Sequence, residues 1–328
     1  MRRRKFIALM IGGTAATWSA AARGQPSNRR MVTVGILSGA VGTTSASAAF
    51  IEAMNKLGYE QGRNLTILFR STKSSHAELP ALAAELVDLK PDVLIAMSTP
   101  PVIALKSATT AIPIVMLAIG EPIKTGLVQS LAHPGGNITG TANELEMWGA
   151  KAVQMATQML PGLRCVAYFR NPSNQSIMMA DTNRKNVAET LGIDFEVIDT
   201  ATPEQLDYAL ARPLDKRCNA ALIVPLDGLF AARAAQIADF ALRQKIALFA
   251  PFREYALAGA LMVFGIDLDD QWRTGASYVD RILSGTKPAD LPIQQPTKFQ
   301  TVINLKTAKA IGIEVPTSLL LSADEVIE

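Results

Sequence analysis

The sequence predicts an α/β chain of two doubly wound, parallel-sheet lobes. Short apolar runs rich in β-branched residues alternate with helical patterns of about 10–15 residues, which is how βαβ units read. The rhythm stops near residue 141 and restarts near 146, giving one set over 31–141 and a second over 146–264. A chain of 328 residues, 49% of them hydrophobic, is long and apolar enough for roughly two cores. Right-handed crossovers and helices on both faces of each sheet follow from that pattern.

In the first lobe, MVTVGIL (31–37) is a strand bounded by Ser38-Gly39. Residues 45–57 place Phe50, Met54 and Leu57 on one helical face, and Gly58 is a stop signal. NLTILFR (64–70) is a strand, 78–89 a helix ended by Lys90-Pro91, DVLIAM (92–97) a strand, 101–108 a short helix and IPIVML (112–117) a strand. A helix near 124–132 is expected next, leading through Pro134-Gly135-Gly136 to NITGT (137–141).

The second lobe opens with a helix over 146–159. CVAYF (165–169), DFEVID (194–199), AALIVP (220–225), IALFA (246–250) and ALMVF (260–264) are its strands, with helices over 174–191, 203–211 and 228–243 between them. The last 60 residues or so do not make a third lobe. A helix over 268–284 ends at Ser284-Gly285, Pro288 and Pro292 interrupt the chain, and FQTVINL (299–305) is a strand. This tail is expected to be shared, so that one lobe holds 31–143 plus about 266–295 and the other 144–265 plus about 296–328.

Residues 1–24 have a different character. Arg2, Arg3, Arg4 and Lys5 precede an apolar stretch from Phe6 to Ala22 that holds no charged residue, and Ala22-Arg23-Gly24 supplies small residues before Gln25. A positive start, a short apolar middle and a small-residue exit describe a cleaved secretory signal. Arg3-Arg4-Lys5-Phe6-Ile7 also matches a twin-arginine export signal, although Sec signals are basic too. The apolar run is short for a spanning helix, and no Cys follows it to take a lipid. The segment predicts a protein working outside the cytoplasm, in the periplasm. Without its five basic residues, 27 Lys and Arg face 29 Asp and Glu, a net charge of −2. Basicity therefore belongs to the leader, and nothing argues for a nucleic-acid partner.

Ligands of open parallel sheets bind beyond the carboxyl ends of the strands. The residues there include Thr43, Thr44 and Ser45, then Ser98 and Thr99, then Glu121 in the first lobe. The second lobe offers Asn171 and Asn174, Asp227, and Glu254. Each has an ordinary reading as a helix cap or turn. As a set they suit a small zwitterion: hydroxyls and helix N-termini for a carboxylate, Glu121, Asp227 and Glu254 for an ammonium group.

Catalytic motifs are missing. There is no Walker A loop, no G-x-G-x-x-G after a strand and no G-x-S-x-G elbow. His76 and His133 read as surface residues, and neither Cys165 nor Cys218 has metal-ligand spacing, so no cofactor or metal is expected. Two readings stay open for the cysteines: buried thiols acting as small hydrophobes, which is preferred, or a pair in an oxidising compartment.

Several segments together resemble the extracytoplasmic solute-binding proteins of ABC transporters, in the branch that includes tryptophan- and tyrosine-binding members. They are LGYEQGRNL (57–65), LAAELVDLKPDVLIA (82–96), GEPIKTGLVQSLAHPGGNITG (120–140), AGALMVFGIDL (258–268) and the tail over 295–328. The resemblance implies a type I periplasmic-binding-protein fold: two Rossmann-like lobes joined by a three-crossing hinge and closing on a ligand. It places Thr99-Pro100, Glu121, 171–174, Asp227 and Glu254 at the cleft. Its implied partners are a small-molecule ligand and an inner-membrane ABC permease with its ATPase behind it, for a monomer that is not an enzyme. Family members often have Asp where this chain has Glu121. Tryptophan binders tend to follow the acidic position with Asn and Thr, where this chain has Gly228-Leu229. The alternatives are a ligand-sensing module for a receptor, or an exported enzyme using the same cleft. A repressor with the same two-lobed fold would begin with a DNA-binding helix-turn-helix, where this chain has an export signal.

Overall fold

Two sheets organise the chain, each wound in the same order. The computed structural model describes residues 30–40, 47–73, 75–143, 145–296 and 298–328; the expected export signal lies outside the described residues. The first lobe contains β1 (Val32–Ser38), α1 (Ala48–Lys56), β2 (Leu65–Ser71), α2 (Leu79–Asp88), β3 (Val93–Met97), α3 (Thr99–Ala108), β4 (Ile114–Gly120) and β5 (Ile138–Asn143). Its five strands are parallel, in the order β2-β1-β3-β4-β5.

The second lobe contains α4 (Leu145–Met159), β6 (Cys165–Arg170), α5 (Gln175–Thr190), β7 (Asp194–Asp199), α6 (Pro203–Leu210), β8 (Ala221–Ile223), α7 (Gly228–Ala232), α8 (Ala234–Arg243), β9 (Ala247–Ala250), α9 (Arg253–Ala258) and β10 (Met262–Ile266). These five strands repeat the first order as β7-β6-β8-β9-β10. After α10 (Leu268–Leu283) come β11 (Phe299–Asn304), α11 (Leu305–Ile311), α12 (Thr317–Leu321) and β12 (Glu325–Ile327). β11 adds to β10 antiparallel, and β12 to β11 in parallel.

Alternation along each strand builds a core on both faces of each sheet. In lobe 1, Leu37, Leu94, Ala96 and Met116 pack under α2 and α3. Val34, Ile36, Ile95 and Val115 pack on the other face with Phe50 of α1 and Tyr278 and Val279 of α10. In lobe 2, Phe169, Leu222 and Leu248 meet Phe230, Ile237 and Phe240. Val166, Ile223 and Phe249 meet Trp148, Val153 and Ala308.

The chain passes between the sheets three times: between β5 and α4, between β10 and α10, and between Gln294, which bridges to Thr141, and β11. α10 thus returns to the first sheet, where Thr141 Oγ1 donates to Gln271 Oε1 at 2.6 Å. Trp148 Nε1 donates to the Phe264 carbonyl, tying α4 to β10 near this bundle of crossings.

Three local expectations need correcting. The helix near 124–132 is a series of turns. Glu121 and Gly126 sit at φ +52° and +68°, so the turn closed from the Thr125 N–H to the Glu121 carbonyl cannot propagate into a helix. The helix over 228–243 breaks at Arg233 into α7 and α8. The cysteines are not free thiols: Cys165 and Cys218 form a disulfide with Cα atoms 4.6 Å apart. Cys165 begins β6 and Cys218 lies in the bend three residues before β8, and direct pairing of β6 with β8 brings the two together.

Candidate functional site

Both sheets aim the carboxyl ends of their strands at a cavity of about 390 Å³ between the lobes. In each sheet the strand order reverses between the first and third strands, and the loops leaving that switch point bracket a crevice. Lobe 1 contributes Ser38 at the end of β1, Gly39 just beyond it, and Met97, Ser98 and Thr99 at the passage from β3 to α3. Lobe 2 contributes Asn174 after β6, and Leu226, Asp227 and Gly228 after β8. Phe69, Phe252 and Trp272 add aromatic wall, and Trp272 is held edge-on by Phe50 at 5.9 Å.

The chemistry centres on Asp227. It is 2% exposed and caps α7, accepting from the Leu229 N–H at 2.9 Å. Asn171 Nδ2 donates to its Oδ1 at 3.1 Å and Asn174 Nδ2 to its Oδ2 at 2.8 Å. The asparagines are oriented in turn: the Asn171 Oδ1 accepts from Ser173, and the Asn174 Oδ1 from Ser176. A carboxylate has about four acceptor sites, so three donors leave one open. Among the described residues no Lys or Arg lines the cavity, and all three donors are neutral. A buried carboxylate held only by neutral donors favours a cation arriving in the cavity. Behind it, burial raises the Tyr255 phenol well above its ordinary value, with the Asp227 and Glu254 carboxylates pushing the same way. That hydroxyl stays neutral at ordinary pH.

Lobe 1 supplies shape and hydroxyls. Ser98 adopts φ +70°, ψ 161°, a region that otherwise belongs to glycine, and Ala118 on the cavity wall sits at φ +56°. The Ser98 turn swings α3 so that Thr99 faces the cavity. Pro100 and Pro101 then occupy the first helical turn, where a missing N–H costs nothing to the helix. They also remove two of the N–H donors that an anion would use.

Ser98, Thr99, Asn174 and Asp227 therefore line the cavity, and Asn171 supports Asp227 from behind. Glu121 lies just past Gly120 and pairs with Lys124 at 3.0 Å; it is not on the cavity wall. Glu254 is exposed on the first turn of α9, away from the lining residues. Thr43, Thr44 and Ser45 lie outside the described residues. The apolar half of the site, including Phe69, Met97, Leu268 and Trp272, carried no local signal. Inside a strand or a helix these read only as core residues.

The lobes touch closely beside Asp227. A Cβ built on Gly228 would lie 3.0 Å from the Ala40 nitrogen and from the Gly39 carbonyl. On the same side, His76 Nδ1 lies 3.1 Å from Ser173 Oγ, one residue in each lobe.

Fold and cleft together define a two-lobed binding protein whose strand ends enclose a small molecule. The family model for ABC transporter substrate binding proteins matches residues 34–327, and the chain belongs to that family. It is 28% identical over 288 residues to a tyrosine-binding protein of Clostridioides difficile (strain R20291), covering 86% of this chain and 79% of the relative. A conserved domain protein of Vibrio cholerae superposes with a TM-score of 0.82 at 24% identity, over 90% of this chain and 100% of that one. An ABC domain from Streptococcus pneumonia solved in complex with L-Trp gives 0.77 at 22% identity, over 90% and 99%. Proteins of this family work outside the cytoplasm, bind small solutes and hand them to an ABC permease. Among the described residues no helix is long and apolar enough to cross a membrane.

Proposed function

We propose that this protein captures a small molecule with a protonated amine and an apolar body, of which a free aromatic or aliphatic amino acid is the type. One observation carries the reading: Asp227 is a buried carboxylate, on a largely apolar cavity wall, with no cationic partner among the described residues. The tyrosine-binding relative and the L-Trp complex support the ligand class. Gly228-Leu229 beside the carboxylate favours a ligand other than tryptophan. Closure works without chemistry: a ligand that touches both lobes only when they meet shifts the open–closed equilibrium by its differential affinity. The closed monomer then docks on the permease, with 31–143 plus about 266–295 moving against 144–265 plus about 296–328. Residues 1–24 act as an export signal, by the Sec or the twin-arginine route, that is cleaved before Gln25 and delivers the protein to the periplasm.

Calorimetry on the chain from Gln25, with L-tyrosine and N-acetyl-L-tyrosine, tests this reading. L-tyrosine binds, and the acetylated form, which has lost the amine charge, binds at least about a hundredfold more weakly, as expected for a desolvated charge pair. Equal affinity for the two would remove Asp227 from the site. Trp272 on the cavity wall gives a fluorescence readout of the same titration.

A further inference from the structure

We infer that His76 is a positioning residue for ligand capture: it donates across the closed cleft into a chain of hydrogen bonds that ends on the Asp227 carboxylate. Ser173 Oγ donates its proton to Asn171 Oδ1 at 2.6 Å, so toward His76 it is an acceptor, and the proton at 3.1 Å belongs to His76 Nδ1. Asn171 Nδ2 then donates to Asp227 Oδ1 at 3.1 Å. Every donor in the chain points toward the carboxylate, the arrangement in which each bond polarises the next.

The histidine is held for this task. It opens a single helical turn whose cap, Ser75, forms a reciprocal capping box with Glu78. Its Nε2 is buried without a hydrogen-bond partner among the described residues, and a Cβ on Gly39 would lie 3.2 Å from it. Gly39 and Ala40 are the segment that meets Gly228 beside Asp227. The two interlobe contacts therefore flank the same carboxylate, and any rigid-body opening of the lobes breaks both. Closing the cleft completes the donor chain, so closure and the readiness of Asp227 for an ammonium group rise together. This rests on the proposed pairing of ligand with Asp227.

The test uses the chain from Gln25 with L-tyrosine as probe and stopped-flow tryptophan fluorescence for the rate constants. His76→Ala and Ser173→Ala each raise the dissociation rate about three- to tenfold, the size of one hydrogen bond, with the association rate and melting temperature unchanged. The double variant goes no further than Ser173→Ala, because losing the Ser173 hydroxyl already removes the bond from His76 together with its own bond to Asn171. His76→Asn, whose amide nitrogen stands near Nδ1, stays within about twofold of the native rate, and His76→Gln, which offers its nitrogen near Nε2, behaves like the alanine variant. A dissociation rate unmoved by His76→Ala, additive effects in the double variant, or rescue by Gln in place of Asn overturns the inference. A native protein that ignores L-tyrosine is instead a failure of the ligand reading, seen before any variant is made. The latch is then read by small-angle scattering of the protein saturated with L-tyrosine, where His76→Ala must leave a less compact particle and His76→Asn must not; no loss of compactness overturns it.

Discussion

The two lobes share one winding and bring different things to the cleft. At the first switch-point loop, lobe 1 has Ser38-Gly39-Ala40 and lobe 2 has Asn171-Pro172-Ser173-Asn174. At the second, lobe 1 has Ser98-Thr99-Pro100 and lobe 2 has Leu226-Asp227-Gly228. Lobe 2 holds the charge and a preassembled amide network around it, and is stapled by a disulfide. Lobe 1 holds hydroxyls, apolar wall and backbone strain at Ser98 and Ala118. One winding thus serves two roles, because the strand ends only locate a site and the loop residues decide its chemistry. On the proposed reading, lobe 2 is the half that recognises and lobe 1 the half that covers.

The comparison is broken most directly by removing the staple. The disulfide spans 53 residues of lobe 2, and loop-closure entropy alone assigns such a bridge about 4 kcal/mol. A Cys165→Ala/Cys218→Ala variant is expected to unfold lobe 2 first, splitting the thermal transition while hydrogen exchange in β1 and β3 stays protected. Uniform loss of protection in both lobes would mean that the lobes do not unfold separately. Asp227→Asn comes next. It removes the charge, keeps the shape, and is expected to weaken L-tyrosine binding by a hundredfold or more, about 2.7 kcal/mol. The free protein should melt within a few degrees of the native chain. An unchanged affinity by calorimetry would move recognition out of lobe 2.

Gly228→Ala separates closure from folding. Alanine is the better helix former, so the free protein should melt no lower. Its Cβ meets the Gly39–Ala40 backbone only when the lobes are closed, so affinity should fall about tenfold and scattering should show a less compact liganded form. Ser98→Gly has the smallest expected effect. Relief of the positive φ outweighs the extra freedom glycine brings to the unfolded chain, for a net gain of about 1 kcal/mol and a rise of roughly 2–4 °C in melting temperature. A fall in melting temperature would show that the Ser98 side chain earns its place by contacts rather than by shaping the α3 turn.

Particular elements show where the sequence could be read. The central strands of both sheets were legible because they are short apolar runs buried on two faces, while the three-residue edge strand β12, with no buried residue, was not foreseen; the turn residues after the strands pointed to the cavity. Asp227, Asn174 and Thr99, singled out that way, line the cavity. Glu121 and Glu254, singled out by the same rule, do not line the cavity, since a strand end gives the neighbourhood of a site and not the direction of a side chain. The helix expected near 124–132 failed because its apolar residues, Leu127 and Val128, are buried from a turn rather than from a helix face. Phe69, Met97 and Trp272 were invisible as site residues because a wall of a cavity and a wall of a core have the same composition.

The sequence alone determined the two-lobed α/β winding, the family resemblance and the absence of catalytic motifs, since these rest on local periodicity, turn chemistry and ordered segments. The tertiary structure decided that Asp227 is the carboxylate on the cavity wall and that two asparagines hold it. It also decided that Cys165 meets Cys218, and that Gly228 and His76 touch the opposite lobe. Each of these depends on which strands become neighbours and how closely two lobes approach, and such distances between residues far apart in the chain leave no periodic trace in the order of its residues.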